Sequence, residues 1–383
     1  MKALLVTLDK YPDIDAGAVR THMFAKMLME LGYSVQVISM GASTQYHSIE
    51  ETDGVEHMSF RGLSNGKLMK ATYYVLFPIR LWAHLKNHEY SVIIHSQVDE
   101  ISLRVIQEYG IRKGIPTIYD SVEWFSPLQF QQGEKARAYR RNNRYNTTLI
   151  KRPSSVIAIS KYLEKHFKDK GIKTARIPVV MDAKSFDVVK ETTTDYITLL
   201  YAGSPGKKDY LENVINAISL MDVEKQKRIR FIVLGVTKDQ LVTMCGVKRE
   251  VLDKVAPVLE VKGRVPREEV LTAYNRADFS VLIRPSDQRY AMAGFPTKFV
   301  ESLCCSTPMI CNITSDLDEY CENRGNSIVL DSIDPKEIVK VLNEVVEMEP
   351  EKLTEMKDCA RKTAEMKFDY RIYTNILDGL IAD

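Results

Sequence analysis

Residues 3–39 read ALLVTLDKYPDIDAGAVRTHMFAKMLMELGYSVQVIS. They open on an apolar run, Ala3–Leu8, of the length of a buried strand. A loop carrying Pro12, Asp13, Asp15 and Gly17 follows. From Ala18 to Leu31 the residues Met23, Phe24, Met27, Leu28 and Leu31 recur at helical spacing, and Gly32 stops the pattern. Ser34–Ser39 is the next strand. Strand, loop, helix, glycine and strand make a βαβ unit, which implies a parallel sheet. Val92–His95, Thr117–Asp120, Ser155–Ile159 and Arg176–Val180 continue the strands.

The chain then turns polar over 182–195, with Glu191-Thr192-Thr193-Thr194-Asp195 as a linker. A second series restarts at Ile197–Ala202, followed by a helix over Asp209–Leu220. Further strands are expected at Arg230–Leu234, Leu259–Val261, Phe279–Ile283 and Pro308–Cys311, and a final amphipathic helix at Phe368–Ile381. A chain of 383 residues is long for one core. The pattern predicts an α/β class with two doubly wound domains facing across a cleft, bounded at 1–185 (joined by a C-terminal helix, 366–383) and 196–365. Ligands of such sheets bind outside the carboxyl ends of the strands.

Lys+Arg 53 against Asp+Glu 51 leaves a formal charge of +2, so no global basic field argues for nucleic acid. The six cysteines have no CxxC pair or partnered histidine spacing, which argues against zinc, and they read as buried thiols of a reducing cytoplasm. The first residues do not resemble a signal peptide, and no uncharged apolar run reaches the roughly 18 residues of a membrane span. A cytoplasmic chain, peripheral at most to the inner face of the plasma membrane, is expected.

Gly294-Phe295-Pro296-Thr297-Lys298-Phe299-Val300-Glu301 lies between an apolar strand and an apolar helix. Pro at the first helical position after a glycine turn leaves a helix N-terminus open to an anion. Thr297 and Lys298 add a hydroxyl and an ammonium, and Glu301 shares their face one turn further in. A nucleoside diphosphate suits that set; so does an ordinary capped helix. Gly203-Ser204-Pro205-Gly206-Lys207-Lys208 likewise follows a strand and opens a helix, so that Lys207 or Lys208 is a candidate phosphate ligand.

In the first half, the loop Tyr11–Ala18 lacks a dinucleotide fingerprint, although Gly17 allows close backbone approach. Arg20 and His22 follow on the first helical turn. His95 ends one strand; Asp120 ends another, with Glu123 just beyond. These are candidates for acid, base or sugar-hydroxyl contacts, or for loop anchors. Asp13-Ile14-Asp15 and Asp316-Leu317-Asp318 are poorly placed for a metal. The stretches 67–86 and 135–152 mix basic with aromatic residues or carry basic residues without an acid, which suits an anionic membrane interface or a solvated helix face.

Assembled, these residues resemble the family 4 glycosyltransferases, and the similarity spans nearly the whole chain. The Gly17 turn, Ile159-Ser160-Lys161-Tyr162-Leu163, Ile177–Asp182, Lys262–Val270 and Gly294–Glu301 with Ser306-Thr307-Pro308-Met309-Ile310 carry it, the last most specifically. The resemblance implies the GT-B architecture of two Rossmann-like domains and a retaining transferase of the kind that builds bacterial surface polysaccharides. It implies a UDP- or GDP-linked sugar donor, a glycan or lipid-linked acceptor, and no cofactor or metal. Catalytic roles would fall to His95, Lys208 and Lys298. Donor contacts would come from Gly17, Gly203, Lys207, Arg264, Val265, Arg284, Gly294, Phe295, Pro296, Thr297 and Glu301, with Arg289 a further phosphate contact. Acceptor contacts would come from Arg20, Asp120 and Glu123. One position departs: where many members carry a glutamate eight residues before the one matching Glu301, this chain has Ala293. A non-catalytic nucleotide-sugar binder and a nucleotide-sugar epimerase are the rival readings.

Overall fold

The computed structural model describes residues 1–12, 15–39, 49–60, 67–188, 195–204 and 208–382, without the side chains of 67–74. Asp13, Ile14, Lys207 and the linker residues 191–194 lie outside the described residues. The chain folds into two units, Met1–Met181 with Tyr370–Asp383, and Asp182–Asp369.

The first unit is built on eight strands: β1 (Lys2–Thr7), β2 (Ser34–Ser39), β3 (Glu50–Thr52), β4 (Val55–Ser59), β5 (Val92–His95), β6 (Thr117–Ser121), β7 (Ser155–Ala158) and β8 (Thr174–Arg176). Their order is β3-β4-β2-β1-β5-β6-β7-β8, parallel except for the β3-β4 pair. The order reverses at β1, which pairs with β2 on one side and β5 on the other. Strands covered by helices on both faces favour apolar residues at nearly every position, not alternate ones; β1 and β2 are buried along almost their whole lengths, and the buried Gln36 of β2 accepts a hydrogen bond from Tyr90. The helix Ala16–Glu30 starts where the Asp15 carboxylate accepts the Ala18 amide at 2.8 Å. Asp99 caps the helix Glu100–Lys113 in the same way, and Gly114, at φ +65°, ends it.

The second unit restarts the logic with β9 (Ile197–Ala202), β10 (Ile229–Leu234), β11 (Leu259–Gly263), β12 (Phe279–Leu282), β13 (Met309–Asn312) and β14 (Ser327–Leu330). Their order, β11-β10-β9-β12-β13-β14, is fully parallel and reverses at β9. This doubly wound order leaves a crevice at the carboxyl ends of β9 and β12. A buried pair, Lys357 Nζ to Asp278 Oδ1 at 3.1 Å, fastens the helix Pro350–Lys367 to the sheet, and Asp278 also accepts the Thr198 amide of β9.

Two elements differ from the sequence reading. The strand expected at Arg176–Val180 is instead Thr174–Arg176, and the carbonyls of Ile177 and Pro178 turn toward the Arg20 guanidinium. The single final helix is a 3-10 turn, Tyr370–Tyr373, followed by the helix Thr374–Ile381. Among the described residues no helix is long and apolar enough to cross a membrane, and no cluster of metal-ligating side chains occurs.

Candidate functional site

The carboxyl edge of the second sheet is floored by main chain. Gly203, Gly235 and Gly263 end the adjacent strands β9, β10 and β11 at φ +138°, +99° and +68°. They are stitched together: the Gly203 amide donates to Leu234 O at 2.9 Å, and the Gly235 amide to Gly263 O at 2.5 Å. A Cβ at Gly235 would strike the Gly203 carbonyl. A Cβ at Gly203 would strike Lys298 Cε and approach Nζ to 3.0 Å. Glycine at 203 therefore lets a lysine lie against the backbone.

Lys298 belongs to the helix Thr297–Cys304, which begins at Pro296 with no side chain capping it. Its Nζ lies 2.5 Å from Asp209 Oδ2 and 3.2 Å from Tyr201 Oη, 4.8 Å from the centre of the tyrosine ring. Arg284, just beyond β12, donates Nε to Asp209 Oδ1 at 2.7 Å, and Tyr201 Oη donates to Oδ2 at 2.7 Å. Asn312, at the end of β13, brackets the Arg284 backbone with hydrogen bonds of 2.9 and 2.7 Å. Two cations thus converge on one carboxylate whose side chain is 2% exposed. Burial alone would raise the Asp209 pKa; Lys298 and then Arg284 overcome it and hold the carboxyl well below the usual range. Burial pushes the Lys298 ammonium down, and Asp209 opposes that push.

The other expected residues of this half fall nearby. Lys208 is half-buried in the turn beside Asp209. Gly294 ends the short helix Arg289–Ala293, its amide donating to Tyr290 O at 3.1 Å. Phe295 is buried edge-on against Tyr320 and packs on Phe368, so it is a core residue at the helix mouth. Thr297 is half-buried in the first turn. Glu301 Oε1 accepts from Arg267 Nη1 at 2.6 Å, and that carboxylate is already oriented. Past Gly263, Arg264 is exposed, and Val265 packs on the small cluster around Leu234 and Tyr274. Ala293 is fully buried.

In the first unit, Arg20 and Asp120 bind each other. Arg20 Nε reaches Asp120 Oδ1 and Oδ2 at 3.0 and 2.9 Å and Nη2 reaches Oδ1 at 2.8 Å, while Nη1 donates to Pro178 O at 2.6 Å and Nη2 to Ile177 O at 3.0 Å. Both side chains are buried. They tie the first helix, β6 and the segment after β8 together. Glu123 is half-buried, and its carbonyl accepts from the amides of Asn142 and Asn146. Gly17 is required for another reason: a Cβ there would overlap the carboxylate of Asp9, which Thr7 Oγ1 holds at 2.9 Å. Burial raises the Asp9 pKa, with Asp15 and Asp120 adding to the rise against the Thr7 bond.

His95 ends β5 with its ring stacked on Tyr119 at 5.6 Å. Its Nδ1 donates to Ser96 O at 2.9 Å, which leaves Nε2 as a buried acceptor with no partner. Burial pushes its pKa down to about 4 against the small opposing effect of the Ser96 bond, so the imidazole is neutral at physiological pH.

Sequence reasoning missed Asp209, Arg267 and Asp9. Each lies within a few residues of a stretch whose spacing stands out, but the partners of Asp209 and Arg267 are tens of residues away, at 298 and 301.

Two family models match the chain, Glycosyltransferase Family 4 over residues 17–181 and Glycosyl transferases group 1 over residues 183–363. No curated protein matches in sequence. Solved structures that match include sucrose-phosphate synthase from Thermosynechococcus elongatus, 14% identical over 99% of this chain and 98% of that one, with a TM-score of 0.74. Anabaena HepE in complex with UDP-glucose is 15% identical over 99% of both chains, TM-score 0.65. WaaG, a glycosyltransferase involved in lipopolysaccharide biosynthesis, is 13% identical over 98% and 99%, TM-score 0.67. At these identities the structural likeness speaks for the GT-B fold.

Proposed function

We propose that this chain, which belongs to the family 4 glycosyltransferases, moves a hexosyl group from a UDP- or GDP-linked donor to a glycan or lipid-linked acceptor, retaining the anomeric configuration and using no metal. The observation that carries the reading is the convergence of Lys298 and Arg284 on Asp209, with Lys298 lying against the Gly203 main chain at the mouth of the helix Thr297–Cys304. Charge on a departing diphosphate is what such a site stabilises, and cations fixed before the substrate arrives need no reorganisation during the reaction. The second unit is then the donor-binding domain, with Glu301 and Arg267 placed for the ribose and the turn Gly263–Val265 for the base. The first unit is the acceptor-binding domain. The neutral His95, with its unpartnered Nε2, serves as a hydrogen-bond acceptor for a sugar hydroxyl. The donor's own phosphate takes the acceptor proton, so positioning and charge stabilisation do the work. Ala293 removes one expected carboxylate contact to the sugar, so donor choice rests on the remaining groups.

We place the enzyme at the inner face of the plasma membrane, in polysaccharide or glycolipid assembly. The support is the helix Lys67–Asn87, which contains no acidic residue and exposes Val75, Ile79 and Trp82, by 67%, 58% and 51%, along one face with Lys86. The exposed Arg137 and Arg140 of the helix Arg137–Arg144 add positive charge to that unit. Sedimentation with anionic vesicles checks this contact, and an Ile79→Asp variant that sediments as well as the parent refutes it.

The activity test incubates the protein with UDP- and GDP-sugars and a panel of glycan and lipid-linked acceptors, with Lys298→Ala alongside. Transfer with the parent and its loss in the variant supports the reading. Donor isomerised without any acceptor points to an epimerase. Donor bound with neither transfer nor hydrolysis points to a non-catalytic partner.

A further inference from the structure

Asp209 is oddly placed for a site that is to receive an anion. It is a buried carboxylate lying between the two cations that would do the receiving, at 2.5 Å from Lys298 and 2.7 Å from Arg284, with Tyr201 donating a third hydrogen bond. We propose that Asp209 is the internal counter-ion of the donor site: it gathers Lys298 and Arg284 at one point and keeps the Lys298 ammonium protonated until a diphosphate arrives. The inference rests on the donor-site reading above. It adds a positioning residue, not one that touches the reacting atoms.

Charged and titratable groups act on Lys298 from several elements. Arg284 from the end of β12 and Asp209 from the turn before the helix Leu211–Leu220 lie closest; Tyr201 comes from β9 and Glu301 from Lys298's own helix. Burial and Arg284 both favour a neutral amine. Asp209 opposes them most strongly, with Glu301 a smaller ally. The hydroxyl of Tyr201 stays protonated, because burial and the neighbouring Asp209 raise its pKa well above the usual value. With the carboxylate gone, a buried ammonium would sit beside a guanidinium that cannot give up its proton, and the lysine would be the group to yield. A neutral amine loses its charge for the diphosphate. Asp209 also explains how two like charges rest side by side in the absence of ligand.

The test compares the parent, Asp209→Asn and Asp209→Glu. Carbon-labelled lysine NMR, with Lys298 assigned through Lys298→Arg, follows the ammonium directly and needs no ligand. The inference expects Lys298 to titrate at lower pH in Asp209→Asn than in the parent; equal midpoints overturn it. Calorimetry with UDP and GDP then reads the site. Above about pH 7, past the last phosphate ionisation of the nucleotide, the affinity of each protein should fall as its own Lys298 deprotonates, so that Asp209→Asn loses affinity at lower pH than the parent and Asp209→Glu. Weakening of Asp209→Asn by the same factor on both sides of its own Lys298 midpoint would mark a merely structural carboxylate and overturn the inference. If neither nucleotide binds the parent, the donor-site reading fails, while the NMR comparison still decides the counter-ion role. If Asp209→Asn does not fold, the parent alone suffices. Binding measured at about pH 8.5 in two buffers of different ionisation enthalpy should show almost no proton uptake, and uptake near one proton per nucleotide overturns the inference.

Discussion

Replacing Gly203 by alanine adds one methyl group to the site, and the structure says where it goes. The new Cβ lands on Lys298 Cε and within 3.0 Å of Nζ, so the lysine must leave its place over Tyr201 and beside Asp209. A charge-assisted hydrogen bond contributes about 1.5–3 kcal/mol. If the diphosphate loses one such contact, its dissociation constant rises about 10–150-fold, at about 1.4 kcal/mol per decade. The φ of +138° adds backbone strain of about 1–3 kcal/mol. For a unit of this size, that lowers the melting temperature by about 2–4 °C per kcal/mol. Strain and displacement are separated by Gly246→Ala. That glycine has φ +77°, but a methyl group added there would meet no atom within 4 Å, so its variant should melt lower while binding normally. Calorimetry with UDP or GDP, paired with a thermal melt, reads both quantities. If Gly203→Ala binds within about twofold of the parent while melting at or below Gly246→Ala, Lys298 does not hold the diphosphate.

Two further outcomes concern the first unit, which holds both tryptophans, Trp82 and Trp124, so that fluorescence reports its unfolding. His95 has a folded pKa lowered to about 4, so the unfolded chain takes the proton first as pH falls. Its contribution is fully present above about pH 6.5 and is lost toward about pH 4, a change of about 3 kcal/mol that His95→Gln should abolish in urea melts; identical pH slopes for the two proteins count against it. Asp120→Ala leaves the buried Arg20 guanidinium without its carboxylate, and breaking such a pair costs about 3–5 kcal/mol. A variant as stable as the parent that lost only turnover would instead restore Asp120 as an acceptor ligand.

The parallel strands were legible because burial on both faces writes them as mostly apolar runs, unbroken in Val92–Ile94 and interrupted by Gln36 in β2. Ser34–Ser39, Val92–His95 and Ile197–Ala202 fall where the sequence predicts them. The β3-β4 hairpin escaped, although Asp53-Gly54, both with positive φ, is a standard two-residue turn signal. Its strands are too short and too polar to show periodicity. β14 has only four residues, too few to show a period, although the turn at Arg324-Gly325-Asn326 precedes it. The site was half legible. Motif spacing pointed to Lys298, Glu301 and Gly203, because a helix mouth and a glycine turn are local features. It could not reveal that Asp209 meets Lys298 across 89 positions, or that Arg20 and Asp120 satisfy each other across 100. Such pairings are set by sheet order, which a linear reading does not contain.

The three glycines that end β9, β10 and β11 have an evolutionary corollary. A platform made of amides and carbonyls offers natural selection no side chain to vary, and each glycine's positive φ discourages the introduction of one. A lineage seeking a different nucleotide would have to recruit its novelty from the border, at positions such as Arg264 or Thr297, while the bed beneath stays chemically mute.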